Sequence, residues 1–434
     1  MAHTTSEPDP LKNEEIVNRA RAIISEGPIC DHCLGRQFAK IATGRSNAQR
    51  GQALKSLLES CGREVSTGTC WVCNGLFESV DEWAARAADA LRDYEFSTFL
   101  VGTKVSGLLS ENEEMLWELT GADNAEPLKA ELNREVGKIL ERTLGKIAEF
   151  ERPELVVVLN LWTDTVEVQS NAVYLYGRYR KFERGIPQTR WFCRVCRGVG
   201  CIRCNFTGRM YPESVEELIR GSLLSLFQGT DMVLHGSGRE DIDARMLGSG
   251  RPVVLEIKEP QRRFVDLREA EAKVNHENAG KIEIFDLQYV QKEAVAQVKN
   301  AKAAKTYRAV VIVETAEEQP SEERLKAALA MLTDTEIEQR TPHRVAHRRA
   351  DLVRRRRVMS ARLVSFDEDA QRAVVEVACD AGTYVKELIS GDEGRTKPSL
   401  STLLGTSAAV TELDVIDVAL DLKIADFISP AAHS

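Results

Sequence analysis

Eight of the ten cysteines in this chain form four Cys-X-X-Cys pairs, a spacing that suits metal binding. A separation of two residues lets both thiolates of a pair reach one Zn²⁺ ion, and two pairs complete a tetrahedron. The pairs form two groups of four: Cys30, Cys33, Cys70 and Cys73, then Cys193, Cys196, Cys201 and Cys204. We predict one or two structural zinc ions, because four thiolates leave no open position for a catalytic water.

Two other interpretations of these cysteines fit the pattern less well. Unligated, partly buried thiols would not need such regular pairing, and a redox Cys-X-X-Cys is usually a single pair beside a thioredoxin-like βαβ unit. In the second group only RGVG separates the pairs, and Gly198 and Gly200 would let the backbone turn sharply toward one ion. The spacing therefore favours metal binding over both alternatives and leaves open whether the second group holds an ion of its own.

A candidate catalytic carboxylate, Asp241, lies in the segment HGSGREDIDARML. Gly236 and Gly238 permit a tight loop that would hold Asp241 rigidly. Taken alone, the loop is more typical of a surface turn with mixed charges, since no phosphate-binding GKS or GKT follows. We expect Asp243, two residues further along the chain, to point away from the site, so we favour Asp241.

Two later segments supply aromatic and basic residues that could act together with Asp241. Tyr307 opens a predicted strand in AKAAKTYRAVV, after a basic run. Tyr384 and Lys386 lie in DAGTYVKELIS, where a strand passes through glycine into a helix. Each has a structural alternative, with Tyr307 as a cross-strand aromatic and Lys386 as a solvated helix residue.

Basic residues are concentrated locally, although the net charge of the chain is −9. Residues 340–357 contain eight arginines and one aspartate, and we expect Arg344, Arg348 and Arg349 to contact phosphate. The alternative is an arginine-rich, solvated helix face. A second group interleaves aromatic and basic side chains suited to RNA contact, namely Tyr176, Arg178, Tyr179, Arg180 and Lys181.

The elements that must position these residues suggest two domains. We predict an N-terminal α/β accessory domain over residues 1–180, including an amphipathic helix over 127–150. The remainder, 181–434, predicts an α+β domain on a mainly antiparallel or mixed sheet, with the second cysteine group as an insert at 193–204. The beginning, MAHTTSEPDP, lacks a signal-peptide pattern, and no stretch approaches the roughly 18 apolar residues of a membrane span. We therefore expect a cytoplasmic protein without a membrane partner.

Three short motifs resemble those of pseudouridine synthases. GREDID is similar to the catalytic loop, KTYRA to the second motif of the bacterial tRNA pseudouridine-55 synthase, and GTYVKEL to a later motif of that enzyme. The whole chain more closely resembles the archaeal and eukaryotic tRNA pseudouridine-54/55 synthase family, which carries an N-terminal zinc and THUMP domain. RYRKFERGIPQT, SGREDIDARMLGSGRP and AGTYVKELISGDEGRTKPS carry this resemblance, which is most specific in residues 176–405.

The resemblance implies an isomerase that converts uridine to pseudouridine in the T-loop of tRNA, at position 54, 55 or both. Asp241 would be the catalytic carboxylate, Tyr307 would stack on the flipped uracil and Tyr384 would line the pocket. Lys386 stands where the related motif has arginine and would pair with Asp241. The family further implies a THUMP-type accessory domain that grips tRNA, with no organic cofactor. No segment indicates an obligate protein partner.

Two other functions remain as alternatives. One is a zinc-ribbon RNA-binding protein without catalysis, which the order of Asp241, Tyr307 and Lys386 argues against. The other is a different THUMP-bearing tRNA enzyme, such as a thiolation enzyme or methyltransferase. Those enzymes need an ATP-binding loop or a glycine-rich cofactor turn after a strand, and neither pattern is found.

Overall fold

The computed structural model describes residues 9–314, 321–420 and 427, and the chain divides into two compact units. The first unit is Met1–Asn171 and the second is Ala172–Ser434. This division lies nine residues before the predicted boundary at 180/181. The reason is that the strand Val173–Lys181 pairs with strands of the second unit and cannot be a linker.

The first unit contains six helices and four strands within its described residues. The helices are α1 Glu14–Ser25, α2 Asp31–Gly35, α3 Asn47–Ser60, α4 Val80–Ala90, α5 Gly107–Thr120 and α6 Leu128–Leu144. The strands are β1 Thr98–Lys104, β2 Ile147–Ala148, β3 Leu155–Asn160 and β4 Thr165–Ser170. They form one sheet in the order β2-β1-β3-β4, parallel except for the pair β3 and β4. This arrangement confirms the predicted α/β character.

Helix α6 follows the predicted apolar stripe but ends earlier than expected. Leu132, Val136 and Leu140 are fully buried, as three-four spacing requires. The chain leaves the helix at Gly145, whose φ of 66° is a left-handed conformation that glycine adopts without strain. Ile147 therefore lies in strand β2 with 65% of its surface exposed, so the predicted extension of the helix to residue 150 is wrong.

The second unit contains six helices and ten strands within its described residues. The helices are α7 Val215–Phe227, α8 Leu267–Glu277, α9 Glu293–Asn300, α10 Glu322–Leu332, α11 Val385–Ser390 and α12 Leu400–Leu404. The strands are β5 Val173–Lys181, β6 Asp231–Gly236, β7 Ala244–Lys258, β8 Ile282–Val290, β9 Ala304–Val313, β10 Thr335–Arg340, β11 Val353–Asp367, β12 Arg372–Cys379, β13 Thr396–Lys397 and β14 Ala408–Ala419.

These ten strands form one mixed sheet in the order β13-β10-β11-β12-β9-β14-β7-β5-β8, and β6 also pairs with β7. Every pairing is antiparallel except that of β14 with β7, as the predicted mainly antiparallel or mixed sheet requires. Strand β7 is 15 residues long. Its beginning pairs with β14, whereas its end pairs with β6. The loop between β6 and β7 therefore connects the β6 pairing at one end of β7 with the β14 pairing at the other.

Two large hydrophobic cores support this sheet. One packs helices α7 and α8 against β5, β7 and β8, and the other packs α10, α11 and α12 against β9, β11 and β12. Tyr307 of β9 contacts both cores. Among the described residues, no helix is both long enough and apolar enough to cross a lipid bilayer.

Candidate active site

The loop between β6 and β7 carries the predicted catalytic residue. The backbone NH of Ser237 donates to the Pro252 carbonyl, and Gly238 follows with a φ of 71°. A Cβ at Gly238 would lie 3.1 Å from the Lys305 ammonium, so glycine is favoured for both its conformation and its lack of side chain. A turn then closes from the Asp241 carbonyl to the Ala244 NH.

A buried glutamate anchors this loop beside Asp241. The Glu240 carboxylate accepts hydrogen bonds from the Tyr179 hydroxyl at 2.9 Å and from the Arg251 Nε at 2.8 Å. The Lys181 Nζ lies 3.7 Å away. Burial alone would raise the pKa of Glu240, but Arg251 and Lys181 outweigh it and lower the pKa. Sequence reasoning missed Glu240 and Arg251, because nothing in the pattern GRED distinguishes the buried acid from the accessible one.

The Asp241 carboxylate faces several cations, and the nearest one is Arg344 rather than the predicted Lys386. The Arg344 guanidinium lies 3.1 Å from the Asp241 carboxylate, whereas the Lys386 ammonium lies 4.0 Å away. Arg344 is held by Glu387, whose buried carboxylate accepts from the Arg344 Nε at 2.6 Å. The predicted pairing of Lys386 with Asp241 is present at the limit of ion-pair distance, and Arg344 makes the shorter contact.

The shortest contact of Lys386 is with Asp243, to which it donates at 2.6 Å between Nζ and Oδ2. Burial acts to raise the pKa of Asp243, but the contacts that lower it, led by the hydrogen bond from Lys386, together outweigh burial. The pKa of Asp243 therefore lies below its usual range. The prediction that Asp243 points away from Asp241 is wrong. Residues two apart share a face even in an extended segment, and here residues 242 and 243 form a turn. Both aspartates therefore contact the same group of cations.

One cavity of about 170 Å³ brings the four predicted catalytic and substrate-binding residues together. Its lining includes Asp241, Tyr307, Tyr384 and Lys386. Tyr384 is fixed through its backbone, which exchanges hydrogen bonds with the buried amide of Gln339. Burial raises the pKa of Tyr307 above its ordinary value, so its hydroxyl stays protonated at neutral pH.

Lys305 is a further cation in this cavity that sequence reasoning did not identify. It lines the cavity two residues before Tyr307, on the same face of β9. Burial and then repulsion from Arg251 lower its pKa from 10.5 to about 8. The basic run KAAKTYR indicates a cation near Tyr307, but only the fold distinguishes Lys305 from the exposed Lys302.

Comparison with known proteins identifies the family to which this arrangement belongs. Residues 174–419 match the family described as Pus10, C-terminal, and residues 83–160 match the Pus10 THUMP domain, archaeal. The chain belongs to the Pus10 family. This membership confirms the resemblance found in the sequence and places the cavity in the family's C-terminal domain.

Several relatives in the Pus10 family match over nearly their whole length. A protein of Methanothrix thermoacetophila named tRNA pseudouridine synthase Pus10 is 49% identical over 433 residues, covering 93% of this chain and 94% of that protein. Proteins of the same name from Halorubrum lacusprofundi and Methanopyrus kandleri are 44% and 42% identical. They cover 93% of this chain in both cases, and 96% and 98% of their own lengths.

Among solved structures, a Cbf5-Nop10-Gar1 complex is similar to this chain, with a TM-score of 0.29 and 16% sequence identity. The match covers 47% of this chain and 45% of that chain. A likeness at this level carries no argument about function.

The structure corrects the predicted RNA contacts of β5. Lys181 has no exposed surface and donates to the Ile186 carbonyl at 2.7 Å. Tyr179 is equally buried, and Tyr176 is 7% exposed in a small hydrophobic cluster. These three side chains are structural, because β5 lies between β7 and β8 and has both faces covered.

The two arginines of the same strand are also committed to protein contacts. Arg178 donates to the carbonyls of Ser249 and Gly250, at 2.8 and 3.2 Å. Arg180 donates to Gly248 and Glu283, at 2.7 Å each, and its guanidinium lies over the Phe285 ring. Binding RNA through either arginine would require breaking these contacts.

The arginine-rich stretch 340–357 is not the helix face that was the alternative interpretation. It spans the end of β10, a short 3-10 helix (His343–Arg348) and the start of β11. Arg340 pairs with Asp351, and Arg355 and Arg357 face acids on or next to β10. Arg349 is exposed and lines the cavity of Asp241. The side chain of Arg348 lies outside the described part of the chain.

Both cysteine groups have a geometry that could hold a metal ion. In each group the four sulfur atoms lie within 4.8 Å of one another. The separations of 3.7 Å between Cys30 and Cys73 and 3.9 Å between Cys193 and Cys201 are close to the ~3.8 Å edge of a tetrahedron with ~2.3 Å Zn–S bonds. Backbone NH groups of Gly200 and Gly208 point at two of these sulfurs. The donor set therefore fits one ion per group.

Proposed function

We propose that this chain converts uridine to pseudouridine in tRNA, with Asp241 as the catalytic carboxylate and T-loop uridines as its targets. The observation that carries the proposal is the single cavity shared by Asp241, Tyr307, Tyr384 and Lys386. The tRNA substrate is supported by the relatives, which are named tRNA pseudouridine synthase Pus10.

The reaction requires the target base to leave its stack and enter the cavity. Tyr307 provides an aromatic face for the extruded uracil, since a flipped base loses its stacking partners in the RNA. A neutral phenol suits this role, because the uracil is also uncharged. Tyr384 forms another part of the lining, where its backbone contacts with Gln339 hold it in place.

The chemical step exchanges one bond to the ribose for another. The bond between N1 and C1′ breaks, the uracil turns, and C5 forms a new bond to C1′. A proton then leaves C5 and another is taken up at nitrogen, so all atoms are conserved and no organic cofactor is required. Whether Asp241 bonds to the reacting carbon or stabilises positive charge on the sugar, its carboxylate acts at the same place.

We further propose that each cysteine group holds one structural Zn²⁺. The first group would hold its ion with Cys30, Cys33, Cys70 and Cys73, and the second with Cys193, Cys196, Cys201 and Cys204. Four thiolates close the coordination sphere, so the ion would stabilise the local fold and would take no part in the reaction.

We also propose that Arg349 contacts RNA phosphate at the entrance to the cavity. It is exposed, and no described acidic side chain pairs with it. This role is narrower than the arginine patch expected from the sequence, since the other arginines described above are paired.

Substitution of Asp241 tests the proposed function. We expect Asp241→Asn to lower pseudouridine formation on unmodified tRNA by at least about a thousandfold, because amide oxygen neither attacks carbon nor carries charge. We expect tRNA affinity to change by less than about threefold. Base-resolution mapping of the products would also identify the modified positions.

The matched control for this experiment is Asp369→Asn, which makes the same change at an exposed position in the turn between β11 and β12. This control should modify tRNA at the wild-type rate. Ordinary pseudouridine formation by Asp241→Asn would contradict the catalytic assignment. Inactivity of the wild-type chain on every tRNA would contradict the proposed reaction itself.

A further inference from the structure

A second cavity, of about 480 Å³, adjoins the cavity of Asp241. Both cavities are lined by Arg239, Glu240, Asp241, Arg344 and Lys386. The catalytic carboxylate therefore lies at the boundary between two spaces. The uracil of the proposed reaction occupies only one of them.

The second cavity has an aromatic wall. Trp191 and Tyr211 line it with ring centroids 5.8 Å apart and planes at 80° to each other. The guanidinium of Arg239 lies 5.9 Å from the centre of the Trp191 ring. Both rings are only partly buried, so a flat ligand can reach them. An aromatic face beside a guanidinium suits a nucleobase and its phosphate.

The second cysteine group fixes this aromatic wall. Trp191 and Tyr211 stand just before and just after it, and the two chain segments pair as they enter and leave. The backbone NH of Met210 donates to the Trp191 carbonyl at 2.9 Å, and that of Cys193 donates to the Gly208 carbonyl at 2.7 Å. A bridge between Phe192 and Arg209 completes the pairing.

The same segment also connects to the body of the second unit. Arg190 and Arg209 flank the group, and both pair with Glu217 of helix α7, at 2.8 and 2.9 Å. Residues 184–212 contain six arginines and no aspartate or glutamate. The surroundings of the wall therefore favour a polyanion over an acidic or neutral peptide.

We propose that Trp191 and Tyr211 form a second base-binding site, which takes the nucleotide next to the target uridine. The inference rests on the proposed function, because it requires a uracil beside Asp241. When that uracil leaves its stack, its neighbour loses one stacking surface, and Trp191 replaces it. The second cysteine group is then the scaffold of a substrate site.

The test combines a protein change with an RNA change. Each neighbour of the target uridine is replaced in turn by an abasic nucleotide, and kcat/KM is measured for wild type and for Trp191→Ala. For wild type, we expect one abasic position to lower kcat/KM by about tenfold, the effect of losing one base–aromatic stack. For Trp191→Ala, we expect a similar loss on intact tRNA and no further loss at that position.

Two further variants distinguish loss of the aromatic ring from a change in folding. Trp191→Phe keeps a ring and should retain the sensitivity to the abasic position, whereas Trp191→Leu keeps apolar bulk without a ring and should lose it. Trp162→Ala, at a 74% exposed tryptophan of the first unit, is the matched control and should behave as wild type.

Equal abasic losses in wild type and Trp191→Leu would overturn the second base site. So would wild-type activity that is indifferent to every neighbouring base. Failure of the wild-type chain to form pseudouridine on intact tRNA is a different result, and it would refute the proposed reaction.

Discussion

Arg344 is the cation in closest contact with Asp241, and it holds that position through two carboxylates at once. Its Nε donates to Glu387, while a terminal nitrogen lies 3.1 Å from Asp241. A planar guanidinium makes the two contacts through different nitrogens in a fixed geometry, which a lysine ammonium does not reproduce. Lys386 makes its shorter contact with Asp243, at 2.6 Å, and lies 4.0 Å from Asp241.

We therefore predict different effects of exchanging the two cations. Arg344→Lys should lower kcat by about tenfold, since a single nitrogen on a flexible side chain does not hold Glu387 and Asp241 in the fixed geometry of the guanidinium. Lys386→Arg should keep kcat within about threefold, because the longer side chain still reaches Asp243. Single-turnover rates on one unmodified tRNA measure both. A larger loss for Lys386→Arg than for Arg344→Lys would contradict this ranking.

Lys305 gives a prediction about stability and pH. Its pKa is lowered from 10.5 to about 8 in the folded chain, so the unfolded chain binds that proton more tightly. Wild-type stability should therefore rise between pH 8 and 10.5 relative to a variant without the amine. We expect Lys305→Met to be more stable than wild type by roughly 1–3 kcal/mol at pH 7.

This advantage of Lys305→Met should shrink as the pH rises from about 8 toward 10.5. Denaturant unfolding at several pH values measures it. The exposed Lys302→Met is the matched control and should follow wild type throughout. A constant difference between Lys305→Met and wild type across this range would show that the amine is not perturbed.

At the scale of elements, the two cysteine groups occupy different surroundings. Cys33, Cys70 and Cys73 are part of the hydrophobic core of the first unit, whereas the second group lies on a segment with exposed Val199 and Ile202. Loss of an ion should therefore unfold the first unit but disturb only a local segment in the second.

We predict that Cys70→Ser and Cys196→Ser each remove one of two bound zinc ions, with different consequences. Cys70→Ser should lower the unfolding temperature strongly, because it leaves buried thiols without a partner. Cys196→Ser should leave the main unfolding transition nearly unchanged and still reduce turnover. Metal analysis and thermal unfolding measure these effects, with Cys61→Ser as the control at an exposed cysteine. An unchanged zinc content in Cys70→Ser would contradict a metal site there.

The motif residues were the most predictable part of the site, because their types are tied to chemistry. Asp241, Tyr307, Tyr384 and Lys386 do line one cavity. Their exact pairing was not predictable, since it depends on a turn at residues 242 and 243 and on Arg344 arriving from another element.

The strand β5 shows what composition cannot reveal. Alternating aromatic and basic residues are typical of both an RNA surface and a buried strand with compensating acids. Glu240, which compensates Lys181, lies far along the chain and meets it only in the folded sheet. Helix α7, in contrast, begins at a local signal: Ser214 caps its first turn and accepts a hydrogen bond from the backbone NH of Glu217.

At the scale of the whole molecule, charge is divided unequally between the two units. Residues 1–171 contain 28 acidic and 18 basic side chains, whereas residues 172–434 contain 39 and 40. The acidity of the chain therefore belongs to the first unit. The second unit, which holds the cavity, is close to neutral.

We predict that the second unit accounts for most of the salt dependence of tRNA binding. The slope of log affinity against log salt counts neutralised phosphates, and an acidic unit contributes few. A fragment of residues 172–434, which has its own hydrophobic cores, should keep this slope within about one of the full-length value. Titrations at several salt concentrations measure it, and a drop of more than about two would place major phosphate contacts in the first unit.

The contacts that Glu240 makes with Tyr179, Arg251 and Lys181 change how substitutions in strand β5 should be interpreted. Alanine substitutions in the segment RYRK would be a natural way to search for RNA contacts. At Lys181 such a change removes a cation from Glu240, whose neighbour is Asp241. Lost turnover in that variant would report a misplaced carboxylate, and unaltered tRNA affinity would distinguish it from a damaged binding surface.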